Sequence, residues 1–193
     1  MKDPSPEKDD STGYPVLPLT PPGGWTLDNL PLTDLPNCTE LIRGVLVMSP
    51  QTTWHSEAVR ALDERLRPLC PPHLSILPGI AIRRSPRTAP EPDIAVFHAE
   101  ALDFDKIFYR PDEVVLAAEV MTPESEERDR EDKPRIYASM GIPAFWLIEQ
   151  GEQRALVVHE HVLNDGAYRL AKTHVGRLVT DFSFKIDISL EAP

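Results

Sequence analysis

Hydrophobic and polar positions change their texture at Thr39. Upstream of it, residues 1 to 36 hold eight of the chain's 21 prolines, the charged stretch SPEKDD and the pair Gly23-Gly24. Proline removes a backbone donor and clashes with helical neighbours, so this segment has neither helical nor inner-strand periodicity. Residues 1–22 are expected to be a flexible proline-rich tail, and 23–193 one folded domain whose start is anchored by Trp25, Leu27 and Leu30.

From Thr39 the run TELIRGVLVMS is two short apolar segments joined at Arg43-Gly44, the pattern of a tight β-hairpin. In TTWHSEAVRALDERLRPLC, Trp54, Ala58, Ala61, Leu62, Leu66 and Leu69 recur at helical spacing behind threonine N-caps. This predicts a helix over about residues 52–67, stopped by Pro68, Pro71 and Pro72. LSILPGIAIRR, EPDIAVFHA and DEVVLAAEVMT are short and rich in Val and Ile, and read as the central strands. KPRIYASMG predicts a second helix capped by Gly141, with Pro134 acceptable if the helix starts near residue 131. AFWLIEQ, RALVVHEHV, AYRLAKTH and FSFKIDISL add further strands.

Composition narrows the class. At 193 residues, 41% hydrophobic and 26% charged, the chain has the balance of a globular domain and no run of the ~20 apolar residues needed to cross a bilayer. Two cysteines, Cys38 and Cys70, cannot build a disulfide framework, which points to a cytoplasmic setting. The formal net charge of −11 repels polyanions at long range. Any contact with nucleic acid must therefore be local.

One ordered set of residues stands out: Pro92-Asp93 opening a strand, Glu119 in the next, and Lys133 at the head of the following helix. Glu119 interrupts the apolar run VVLAAEVM, where an unpartnered carboxylate costs several kcal/mol, on the order of 2–7 for a polar group and more for a charge. Two strand carboxylates that converge make a hard oxygen site suited to Mg²⁺ or Mn²⁺, with a lysine to orient water. The ordinary alternative is that Asp93 caps a turn, Glu119 pairs with an arginine and Lys133 is solvated. Arg83, Arg84 and Arg87 form the basic cluster, readable as phosphate contacts or as a solvated loop. The charge run Glu124–Asp132 reads as a solvated loop, and His159 and His161 as one polar strand face.

ELIRGVLVMSP followed by His55, then PEPDIAVF, AAEVMTPESEERDREDK and YASMGIPAFWLIE, resembles in order the Uma family of restriction endonucleases, within the PD-(D/E)XK nuclease superfamily. The resemblance implies an α/β restriction-endonuclease-like core, a mixed β-sheet flanked by helices. It also implies a metal-dependent phosphodiesterase acting on DNA. By it, Asp93 and Glu119 are metal ligands, Lys133 is the superfamily lysine, and Glu40 and His55 are supporting residues. Met121 stands two after Glu119, where the superfamily usually has the lysine, which has moved onto the next helix; Arg43 replaces the family's usual acidic residue before the hairpin glycine. The alternative from another class is a non-catalytic module that keeps the fold for binding or interaction. A homodimer is compatible with either.

Overall fold

The computed structural model describes residues 20–30, 35, 39–181 and 183–193. Most of the expected tail, residues 1–19, and Cys38 lie outside them. Among the described residues, Trp25 and Leu27 are buried with Leu41 and Ala89, and Leu30 packs against them.

Strands β1 (Thr39–Ile42) and β2 (Val45–Met48) form the hairpin. Its turn is made by Arg43 at φ 52° and Gly44 at φ 84°. Positive φ at both positions matches the twist of the flanking strands. A Cβ on Gly44 would also sit 2.2 Å from the Arg87 guanidinium. Helix α1 (Thr53–Leu66) is capped by the Thr52 hydroxyl, which accepts from the His55 amide at 3.2 Å. β3 (Leu74–Pro78) and β4 (Ala81–Ile82) divide the run expected as one strand, because Gly79 at φ 58° turns the chain out of the sheet. β4 pairs instead with β6 (Phe108–Tyr109), after β5 (Ile94–His98) has returned to the main sheet.

β7 (Val114–Val120) is followed by a π-helical turn, Arg128–Asp132, leading directly into α2 (Lys133–Ser139). The helix thus starts two residues later than its proline suggested, with Pro134 still in the first turn. β8 (Ala144–Gln150), β9 (Leu156–Asn164) and β10 (Ala167–Val175) complete a six-stranded sheet of order β10-β9-β8-β7-β5-β3. The β7–β8 pair is parallel and the other pairs antiparallel, so the sheet is mixed. β11 (Arg177–Thr180), which the sequence pattern did not separate, pairs with β12 (Ile186–Ser189) as a hairpin of its own.

Side-chain alternation on β7 divides the core. Leu116, Ala118 and Val120 face Ala58, Leu62 and Leu66 of α1 and Leu178, Ile186 and Ile188 of the β11–β12 hairpin. Ala117 joins Tyr137, Ile142 and Phe145 on the opposite face, beneath α2. Each fully buried leucine of this kind stabilises by about 1.5–3 kcal/mol. Alternation puts Glu119 on the α2 face, at the end of an otherwise apolar strand. Among the described residues no helix is long and apolar enough to cross a membrane.

Candidate active site

The β5–β7 ladder ends at the pair Ile94–Ala118. Asp93, in the bend just before β5, and Glu119, near the end of β7, each lie one residue beyond that pair. Asp93 replaces the missing ladder bond: its Oδ2 accepts from the Val120 amide at 2.7 Å. The same oxygen lies 3.1 Å from His55 Nε2, so the first turn of α1 holds the carboxylate from the other side. Asp93 and Glu119 both line one cavity of about 300 Å³, with Glu40, Glu91, Asp129, His55, Arg128 and Lys133.

Glu119 is 1% exposed and Lys133 3%. The Lys133 ammonium sits 2.8 Å from Glu119 Oε2 and 2.9 Å from Glu40 Oε1, with Asp129 Oδ1 at 4.0 Å. Glu119 Oε1 accepts from the Tyr137 hydroxyl at 2.6 Å. Tyr137 follows Lys133 by four residues, so one face of α2 supplies both partners. Glu40 is fixed by its second oxygen, which accepts from the Glu91 amide at 2.9 Å. Glu40, named by the resemblance as a supporting residue, is thus turned inward to Lys133.

Electrostatics follow from burial. Desolvation pushes the Glu119 carboxyl well above the usual carboxylate range, against the opposing pull of Lys133, with Asp93, Asp129 and Glu40 adding to the rise. Lys133 is raised despite its own desolvation, because Glu119, Glu40, Asp129 and Asp93 favour the ammonium. It therefore stays charged. Asp129 is raised by burial, opposed by Lys133 and by its hydrogen bond from the Ser125 hydroxyl. Tyr137 is raised by burial and by the Glu119 charge, so it remains a donor.

Burial and then the Glu40 charge push half-buried Glu91 up to about 7. A raised folded-state pKa contributes stability that is fully present below the unfolded value and lost as pH rises through the folded one. Glu91 therefore costs stability above about pH 7 in the cation-free protein. The linkage ceiling of about 3 kcal/mol falls to about 1–2 kcal/mol once solvent screening is allowed for. Glu91→Gln is expected to be that much more stable than wild type at about pH 8 and nearly equal to it at about pH 4.5, by urea denaturation in EDTA. An identical difference at both pH values would show that Glu91 ionisation is not responsible.

Several of these residues were missed. The run Glu124–Asp132, read as solvated, in fact buries Ser125 and Asp129, and Asp129 lies in the π-helical turn that ends it. Such turns recur at functional sites, and the missing sequence signal is that their hydrogen bonds run i to i+5. Glu91 carried a usable one, as the acid immediately before Pro92-Asp93. The basic cluster lies elsewhere. Arg83 and Arg84 are exposed and outside the cavity lining. Arg87 donates to the Gly23 and Arg43 carbonyls, clasping the amino-terminal segment to the hairpin turn. His159 and His161 are also remote: His159 contacts Thr173 and Glu149, and His161 the His159 carbonyl.

A family model, described as "Uma2: Putative restriction endonuclease", matches residues 29–190. The chain belongs to the Uma2 family. That match spans the hairpin carrying Glu40, Asp93 and Glu119, and α2 with Lys133. The fold is shared with a crystal structure from Anabaena variabilis ATCC 29413, described as "a putative nuclease belonging to DUF820", at 18% identity and a TM-score of 0.64. The likeness covers 86% of this chain and 94% of that one. No curated protein matches the chain.

Proposed function

We propose that this Uma2 domain hydrolyses phosphodiester bonds of DNA with a divalent cation, Mg²⁺ or Mn²⁺, held by Asp93 and Glu119. One observation carries the reading. Five carboxylates, from Glu40, Glu91, Asp93, Glu119 and Asp129, share a small cavity with only two strong bases, Arg128 and Lys133. Confined negative charge of that density calls for either protons or a cation.

The donor set suits a hard cation. It consists of carboxylate oxygens, and Asp93 Oδ1 has no hydrogen-bond partner among the described residues. Among those residues no three His, Cys, Asp or Glu side chains are gathered into a ready-made cage. The reason is visible in Glu119, whose two oxygens are turned to Lys133 and Tyr137. A cation there would share Glu119 with Lys133. When bound, it would supply acidification of a coordinated water and neutralisation of charge on the scissile phosphate.

The chain's own residues do the rest. Lys133 has three donors, two of them directed to Glu119 and Glu40. The third is left for the attacking water, which the lysine orients as a fixed cation and not as a proton acceptor. Asp93 is held by Val120 and His55, so its free oxygen is pre-positioned. Exposed Arg83 and Arg84 remain candidates for phosphates flanking the cut.

Cleavage of supercoiled plasmid and of a single-stranded oligonucleotide by the full chain tests this. Cutting is expected with Mg²⁺ or Mn²⁺ and not with EDTA. Binding is expected to be weak without divalent cation and clearly tighter with it, because the protein is acidic overall. Thermal stability should also rise with Mg²⁺ in wild type and not in Asp93→Asn. Absence of cleavage, binding and cation stabilisation together would favour the non-catalytic module.

A further inference from the structure

The cavity just described has an anionic wall, and a phosphodiester entering it meets five carboxylates. Its two strong bases differ in what they have left to offer. Lys133 is buried and clamped between Glu119 and Glu40. Arg128, at the start of the π-helical turn, has a partly exposed side chain at the same cavity. Its Nη2 donates to the Ser49 hydroxyl at 2.6 Å, across the gap to the segment that follows β2. Its Nε is buried without a hydrogen-bond partner, and the nearest acid, Asp129 Oδ1, is 4.0 Å away and also unpartnered. Among the described residues no hydrogen bond engages Nη1. A guanidinium has five donors arranged to match the paired oxygens of a phosphate, and here most of them are unused.

We propose that Arg128 is the phosphate-contacting residue of this site, donating to non-bridging oxygens of the DNA backbone at or next to the scissile position. The assignment rests on the nuclease reading and gives it a substrate contact that the exposed Arg83 and Arg84 do not provide inside the cavity. The Ser49 hydroxyl tethers the guanidinium and gives way when a phosphate arrives. Lining the same cavity as Asp93, Arg128 would fix the phosphodiester beside the carboxylates. Its charge is local, which is how a chain of net charge −11 can hold a polyanion.

Fluorescence anisotropy with a labelled DNA duplex, Ca²⁺ replacing Mg²⁺, and plasmid cleavage with Mg²⁺ separate the outcomes. Arg128→Gln is expected to weaken duplex binding about tenfold and to lower the slope of log K against log salt by about one, the signature of one lost phosphate contact. Arg128→Lys keeps the charge without the fork and should fall between the two. Ser49→Ala, which removes the tether but leaves the guanidinium, should bind within about twofold of wild type. Unchanged binding and slope in Arg128→Gln, while wild type binds and cuts, would overturn the assignment alone. So would an equal loss in Ser49→Ala, which would show a purely structural clasp. Wild type that neither binds nor cuts overturns the nuclease reading and this assignment together.

Discussion

Replacing Lys133 with methionine is expected to lower the stability of the folded chain by about 3–5 kcal/mol at about pH 8, the cost of removing one partner from a buried ionic cluster. Lys133 is the counter-charge shared by Glu119 and Glu40, and all three are buried. Without it, Glu119 has only the Tyr137 hydroxyl, and burial already holds its carboxyl above the usual range. Its folded-state pKa would rise further. A raised pKa withdraws stability as pH climbs through it, so the deficit of Lys133→Met should shrink as pH falls towards the unfolded carboxylate value of about 4.3. Urea denaturation at both pH values, in EDTA, reads this directly. A second variant isolates the pair: Glu119→Gln/Lys133→Met should recover a large part of the loss, because removing both charges avoids leaving one stranded. A deficit that is independent of pH and not relieved by Glu119→Gln would mean that Lys133 contributes through packing alone.

Why the pair was visible in the sequence, and its surroundings were not, has a physical explanation. Glu119 declared itself because an ionisable group in VVLAAEV breaks a pattern that burial otherwise enforces. The hairpin and α1 were legible for the same kind of reason, since the Arg43-Gly44 turn and the spacing of Ala58, Leu62 and Leu66 are local signals. Tyr137 was hidden because a tyrosine at helical spacing looks like core, which it also is. Ser125 and Asp129 were hidden in a charged run, and the π-helical register that turns Asp129 inward is not encoded in composition. Arg87 and Arg128 show the limit most plainly. Both are arginines in polar stretches, yet one is engaged with the backbone of Gly23 and Arg43 while the other overlooks the carboxylates. Only contacts between segments distant in sequence separate them. The break at Gly79 is similar, because β4 leaves the main sheet to pair with a two-residue strand, Phe108–Tyr109, that is too short to announce itself.

Glu119→Gln should separate chemistry from stability in the opposite sense to Lys133→Met. Glutamine keeps the shape of the carboxylate and resembles its protonated form, the form that burial favours here. Its amide can accept from Lys133 and donate to the Tyr137 oxygen, and Lys133 retains Glu40. Folding stability at neutral pH is therefore expected to stay within about 1 kcal/mol of wild type. Cleavage is expected to fall by about 10³-fold, because loss of a carboxylate that holds the cation forfeits several kcal/mol of charge stabilisation in the transition state. The stabilisation that wild type gains from Mg²⁺ should disappear with it, a readout independent of turnover. Initial cleavage rates on plasmid and melting with and without Mg²⁺, on the same preparations, give the comparison. A variant that cuts at more than a tenth of the wild-type rate and is still stabilised by Mg²⁺ would remove Glu119 from the cation's ligands. Asp93 would then have to hold the cation with another of the cavity's acids, of which Glu91 is the nearest in sequence and half-buried at the same cavity.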